Sequence, residues 1–393
     1  MKKLLVLVFA LIFAVSFSIN KTEVNALDET FEIAMITDSG TIDDESFNQG
    51  TYEGIIEFCT TNSLTYKYYK PLEVSDDAYL DAIELAIAGG AQVVVTPGYL
   101  FESSIYAAQT LYPDVKFILI DGEPHTADYA TYETTSNTLS ILFNEHESAF
   151  LAGYAAVYEG YTKLGFTGGM AVPAVVKFGI GFVAGAYYAA DELDVTIELG
   201  NDTYHYFGDF AASDEHKNLA SSWYVSGTEI IFAAAGGAGS SVMAAAADND
   251  AMMIGVDIDQ SGQSDTVLTS AMKMLANAVQ QGLQAYLDDE FVGGVTEVKG
   301  AENDGVGLPM DTSRFTTFTQ AQYDAIYAKL VDGTVVVPAN YTDLVTFLGD
   351  ATDYPSENTI LGIVEPSNAW IYIVIGIAVV GIAGAVFFFT KKK

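Results

Sequence analysis

The stretch MITDSGTIDDESFNQGTYEG, residues 35 to 54, gathers Asp38, Asp43, Asp44, Ser46, Phe47 and Asn48 between an apolar run and a helical pattern. Such a cluster admits three chemistries: cation ligation, acid/base catalysis, or capture of a small polar molecule. An EF-hand loop needs oxygens at alternate positions, glycine at the sixth and glutamate at the twelfth, and counting from Asp38 the spacing fails. His125, His146, His205 and His216 form no pair at helical metal spacing, and the lone Cys59 excludes a cysteine cluster or an internal disulfide. No metal or other cofactor is expected. No G-x-S-x-G elbow occurs, and Asp43-Asp44 and Asp214-Glu215 read as loop and cap residues, so no enzyme is expected either.

Binding remains. Phe47 and Asn48 fall in the first turn of a helix that starts beside the strand end bearing Asp38, so both can project into a crevice. An aromatic ring stacks on a planar ligand, an amide reads hydrogen-bonding edges, and carboxylates hold hydroxyl pairs or ring N–H groups. Phe47 equally suits a staple packed on its own helix. The loop FAAAGGAGSS, 232 to 241, offers a tight turn that a ligand can approach closely, but it lacks the lysine of a phosphate loop and full dinucleotide spacing.

The elements that must position these groups alternate. FEIAMIT, AQVVVTP, KFILID, KLGFTG, TEIIFAAA and AMMIGVD read as buried parallel strands, with helical patterns after several of them. After the first strand, Ser46 and Gln49 have capping-box spacing, and Tyr52, Ile55, Ile56 and Cys59 recur at helical spacing. The class is α/β, and the length favours two sheets. Asp38, Asp121 and Asp257 each close an apolar run, where open α/β sheets bind ligands. Three carboxylates at strand ends point to one crevice or two facing ones.

With 393 residues, half of them hydrophobic, the chain can bury a sizeable core in two domains. Sixteen basic against 52 acidic residues give a formal charge of -36, which repels phosphate backbones and sets nucleic acid aside as a partner. Residues 1–26 have the charged and apolar regions of a signal peptide, ending in small residues at Val24-Asn25-Ala26. Residues 370–390 form an apolar stretch long enough for a transmembrane helix, and the lysines at 391–393 belong on the cytoplasmic side. The expected location is the cell membrane, with the body on the extracytoplasmic face and residues 351–369 as a linker.

Taken in order, ITDSGTIDDESFNQGTYEG, YPDVKFILID, FNEHESAFLAGYAA, GFTGGMAVPAVVKFGIGFVAG, YFGDF, FAAAGGAGSSVMAAA, MMIGVDIDQ and VLTSAMK resemble the basic membrane protein family over residues 31 to 345. These are substrate-binding proteins of ABC transporters, of the purine nucleoside receptor type. The resemblance implies a type I periplasmic-binding-protein fold, two Rossmann-like lobes joined by a crossover hinge. Lobe one would hold 27–123 and 272–303, and lobe two 124–271 and 304–350.

By the same resemblance Phe47 and Phe210 would sandwich a purine, one from each lobe, while Asp121 and Asn48 hydrogen-bond its edge. Asp257 and Lys273 would hold ribose hydroxyls, with Asp38 and the backbone at Gly236 and Gly237 completing the pocket. Lysine at a strand-to-helix step also suits a plain surface role. The implied partners are a purine nucleoside, an ABC permease and its ATPase. Rival readings are a pentose, riboflavin or a signalling molecule as ligand, or a surface receptor or adhesin without transport. Two departures stand out: no cysteine near the cleavage site could carry a lipid anchor, and Thr41 occupies a position where the family often has glycine.

Overall fold

The computed structural model describes residues 31–363. The expected signal peptide, the apolar stretch 370–390 and the terminal lysines lie outside them.

Among the described residues, twelve strands form two six-stranded sheets. The first holds β1 (Ile33–Ile36), β2 (Tyr66–Tyr69), β3 (Val93–Pro97), β4 (Lys116–Ile120), β5 (Thr138–Phe143) and β11 (Val295–Lys299), in the order β11-β5-β4-β3-β1-β2. The second holds β6 (Leu164–Gly168), β7 (Tyr204–Tyr206), β8 (Ile230–Ala234), β9 (Met252–Asp257), β10 (Val267–Lys273) and β12 (Val306–Gly307), in the order β12-β10-β9-β8-β6-β7. Every pairing is parallel except β10 with β12. The cause is visible in the runs themselves: IAMI, VVVTP and IIFAA are buried at every position, as strands covered by helices on both faces must be.

Helices α1 (Phe47–Asn62), α2 (Asp76–Ala88) and α3 (Glu102–Leu111) follow the early strands of the first sheet. Around the second sheet lie α4 (Glu145–Glu159), α5 (Pro173–Leu193), α6 (Asp214–Val225) and α7 (Gly239–Asp248). Next come α8 (Leu275–Leu287), which returns to pack on α1, then α9 (Gln320–Val331), α10 (Tyr341–Leu348) and the short α11 (Glu357–Ile360). Among the described residues α5 is the one helix long and apolar enough to cross a bilayer, yet it lies mostly buried against α4. Gly181 and Gly185 explain the fit, because a Cβ at either would strike the backbone of His146 or Phe150 on α4.

The chain passes between lobes three times: Phe143 to Glu145, Lys273 to Leu275, and Lys299 to Val306. This moves a boundary expected from sequence. Residues 124–143 belong with lobe one, because β5 pairs with β4 and β11 rather than joining the second sheet. Part of the expected linker, 351–369, is docked, and residues 364–369 lie outside the described residues. Residues 351–363 dock on lobe two: Ile360 is buried, its carbonyl accepts from the Tyr206 hydroxyl at 2.6 Å, and Asn201 Oδ1 accepts from Ser356 N and Thr359 Oγ1. A few anchoring side chains suffice to hold a segment that reads as polar and proline-bearing.

Candidate functional site

Because both sheets are parallel, their strands end at carboxyl edges where side chains meet the space between lobes. Asp38 follows β1, Asp121 follows β4 and Asp257 ends β9. Asp121 and Asp257 adopt left-handed backbone conformations, φ 57° and 66°, which a short polar side chain tolerates better than most. Such strain persists where the surroundings hold it and is common at binding sites.

Lys273 joins the lobes. It ends β10 at the second crossing, is only 3% exposed, and is no surface lysine. Its Nζ lies 2.5 Å from Asp121 Oδ2 of lobe one and 3.1 Å from Asp257 Oδ1 of lobe two. The same ammonium stands 4.3 Å from the centre of the Phe47 ring, with the Phe178 and Phe143 rings at 5.6 and 5.8 Å. Burial alone would discharge it, but Asp121, Asp257 and Glu145 around it hold its pKa above the usual lysine range.

Glu145, the first residue of α4, is a third carboxylate in this cluster and was not among the residues expected from sequence. Burial, with Asp121 adding to it and Lys177 and Lys273 opposing, pushes its carboxyl up to about 7. Lys177 Nζ lies 3.4 Å from Glu145 Oε2 without hydrogen-bond geometry. Consequently Glu145 Oε2, Asp121 Oδ1 and Asp257 Oδ1 are buried acceptors that receive no hydrogen bond among the described residues. A cluster with this accounting suits a ligand that brings hydroxyl or N–H donors and disfavours an anion. The signal for Glu145 was positional: it follows β5, a strand the apolar-run pattern did not reveal, so its strand end went uncounted.

The loop before α1 is organised by Asp44 rather than by a Ser46–Gln49 capping box. The Asp44 carboxylate accepts from the backbone N–H groups of Ser46, Asn48 and Gln49, satisfying the helix start. That frees the Ser46 hydroxyl to donate across the cleft to Asp257 Oδ2 at 2.6 Å. Asn48 also departs from expectation. At 2% exposure its amide donates to Asp38 Oδ1 and Asp44 Oδ2, at 2.9 and 2.8 Å, and accepts from the Asp38 N–H. It therefore shapes the loop and aims Asp38, and no donor of its amide is left to read a ligand edge. Burial raises the pKa of Asp38, against the lowering effect of its Gly40 and Asn48 hydrogen bonds.

Phe47 and Asp38 meet over Gly98, where an added Cβ would stand 3.7 Å from the ring and 3.2 Å from the carboxylate. From lobe two, the Phe210 ring lies against Gly169 and Gly236, glycines that leave room for it. Gly237 sits beside the Phe210 carbonyl and near the Asp44 carbonyl of the opposite lobe. Phe47, Asp121, Asp257 and Lys273 thus converge directly, Asp38 flanks Phe47, and Phe210, Gly236 and Gly237 form a lobe-two wall. Two surface concavities, of about 290 and 740 Å³, contain none of these residues. Among the described residues no group of His, Cys, Asp and Glu is placed to hold a metal.

Comparison with known proteins agrees with this architecture. The family model described as Bmp, ABC transporter substrate-binding protein PnrA-like, matches residues 31–341. The chain is 29% identical over 332 residues to the ABC transporter nucleoside-binding protein BmpA of Lactococcus lactis, covering 78% of this chain and 88% of that one. It is 28% identical over 323 residues to Basic membrane protein A of Borreliella burgdorferi, covering 81% and 90%. Among solved structures, an ABC transporter solute-binding protein from Aeropyrum pernix superposes with a TM-score of 0.66 at 21% identity, covering 80% and 96% of the two chains. One from Conexibacter woesei gives 0.63 at 23%, covering 79% and 99%; at these identities the likeness is one of fold. On the family match, this chain belongs to the PnrA-like substrate-binding proteins of ABC transporters, the Bmp family.

Proposed function

We propose that this protein captures a purine nucleoside between its lobes and delivers it to an ABC permease and its ATPase on the extracytoplasmic face of the membrane, held there by residues 370–390. The observation that carries this reading is the buried Lys273, hydrogen-bonded to Asp121 of lobe one and ion-paired with Asp257 of lobe two beside an aromatic face, while carboxylate oxygens around it receive no hydrogen bond. A vicinal diol supplies two donors to Asp257 and two acceptors to Lys273. A base N–H supplies the donor that Asp121 Oδ1 lacks, and Phe47 and Phe210 supply apolar faces from opposite lobes. Asp38 and the backbone at Gly236 and Gly237 complete the wall, while Asn48 acts through Asp38. The name of the Lactococcus relative supports the ligand class. No bond need be made or broken: ligand favours the closed form because only that form brings both lobes' groups to it.

The Lys273–Asp257 pair would also hold a pentose, which needs no second aromatic wall. A thermal-shift panel of guanosine, inosine, adenosine, ribose and riboflavin separates these readings. A ligand at about a hundred times its Kd adds close to 3 kcal/mol of apparent stability. Stabilisation by purine nucleosides is the expected result, and stabilisation by ribose or riboflavin alone would replace the ligand.

A further inference from the structure

The turn after β9 reaches across the cleft to one peptide of lobe one. Gln260 Nε2 and Gln263 Nε2 both donate to the Glu45 carbonyl, at 2.8 and 3.0 Å. The orientation of the Gln260 amide is not arbitrary. Gln260 Oε1 accepts from Val256 N and its own N–H donates to Ser270 Oγ, which fixes the amide and leaves its NH₂ group for Glu45. The turn is braced from behind by Arg314, which donates to the carbonyls of Ser261 and Val267, and by Thr312, which donates to Asp259. Glu45 itself is held in a left-handed conformation, φ 56°, with its N–H on Gln49 Oε1. The next residue is Ser46, whose hydroxyl is bound to Asp257. Close by, Gly50 lets the Ile258 side chain approach the first turns of α1.

Three side-chain hydrogen bonds from opposite lobes therefore converge on Glu45 and Ser46, in the loop that carries Asp38 at one end and Phe47 at the other. Gln260 is 2% exposed and turns both polar atoms of its amide to protein partners, the oxygen to Val256 N and the nitrogen to the Glu45 carbonyl. We propose that Gln260 and Gln263 are positioning residues: by gripping the Glu45 carbonyl when the lobes close, they fasten the Asp38–Phe47 loop over the ligand and slow its release. This rests on the reading that ligand lodges between the lobes, and not on which ligand it is.

The test uses the full-length chain with two variants, Q263A, which removes a half-buried amide, and Q260E, which keeps the acceptor for Val256 but sets a carboxylate oxygen against the Glu45 carbonyl. In stopped-flow with guanosine, each lost bond should speed dissociation about three- to tenfold, with association changed less than about twofold. The second readout needs no ligand. Spin labels at L72C in lobe one and V225C in lobe two, both highly exposed positions, report the interlobe distance. Q263A and Q260E should shift that distribution towards longer distances. Distributions identical to wild type in both variants would overturn the proposal. If wild type fails to bind guanosine, the nucleoside reading fails, and the distance measurement still decides the latch.

Discussion

The two carboxylates at opposite ends of helix α4 are accounted for in opposite ways. At the far end, Glu159 closes α4 and accepts from the N–H groups of Thr316, Thr317 and Phe318 and from two threonine hydroxyls. Those bonds outweigh its burial and hold its pKa below the usual range. At the cleft, Glu145 opens the same helix with an oxygen that receives no hydrogen bond, beside Asp121 and Asp257 in like condition. One helix thus begins in an unsatisfied carboxylate and ends in a saturated one. The lesson is that the hydrogen-bond accounting, beside the deeper burial of Glu145, separates a carboxylate that waits for a ligand from a structural one.

The comparison can be broken most violently at Lys273. Replacing it by methionine leaves three buried carboxylates with only Lys177 near them, so K273M should lose about 3 to 5 kcal/mol of stability at pH 8 by urea unfolding. A loss below about 1 kcal/mol would mean that solvent already screens the cluster. Next is Asp257→Ala, which removes a partner of Lys273 and of Ser46 together with the acceptor proposed for two ligand hydroxyls. It should weaken guanosine binding by about two orders of magnitude in calorimetry, or close to 2.7 kcal/mol. Unchanged affinity would take Asp257 out of the site.

The pH dependence of Glu145 sharpens the contrast. Its carboxyl keeps a proton up to about 7 in the folded chain and loses it near the ordinary 4.5 when unfolded. Over that window the folded state binds more protons, so stability falls as pH rises from about 4.5 to about 7. Glu145→Gln removes this slope: it should stabilise by about 2 kcal/mol at pH 8 and have almost no effect at pH 4. Equal effects at both pH values would show an ordinary packing change. The smallest effect belongs to Glu159→Gln, whose amide sets N–H against N–H donors. It should cost about 1 to 2 kcal/mol of stability and leave guanosine affinity unchanged, and a matching loss of affinity would erase the distinction drawn here.

Much of this arrangement is legible in the sequence because parallel strands write themselves as continuous apolar runs. Asp38, Asp121 and Asp257 could be placed at strand ends from that signal alone. Strand β5 was missed because TLSILF carries two hydroxyl residues and no alternation or run of the required strength, and with it went both Glu145 and the true lobe boundary. The start of α1 was misread for another reason: Ser46 at capping spacing is a local signal, whereas its actual partner, Asp257, is 211 residues away. Gln260 and Gln263 leave no local pattern at all, since their role exists only once the lobes face one another. The Asn48 amide, which looked free to read a ligand, is consumed by Asp38 and Asp44, a network visible only after the loop folds back.

The most direct test of the central claim is a calorimetric titration of the full-length chain with guanosine. The account predicts saturable binding at one nucleoside per chain, with a negative heat-capacity change from burying the base between the lobes. No heat and no shift in melting with guanosine, inosine or adenosine would contradict it, and would leave the cleft's carboxylate oxygens that receive no hydrogen bond to a different donor-rich ligand.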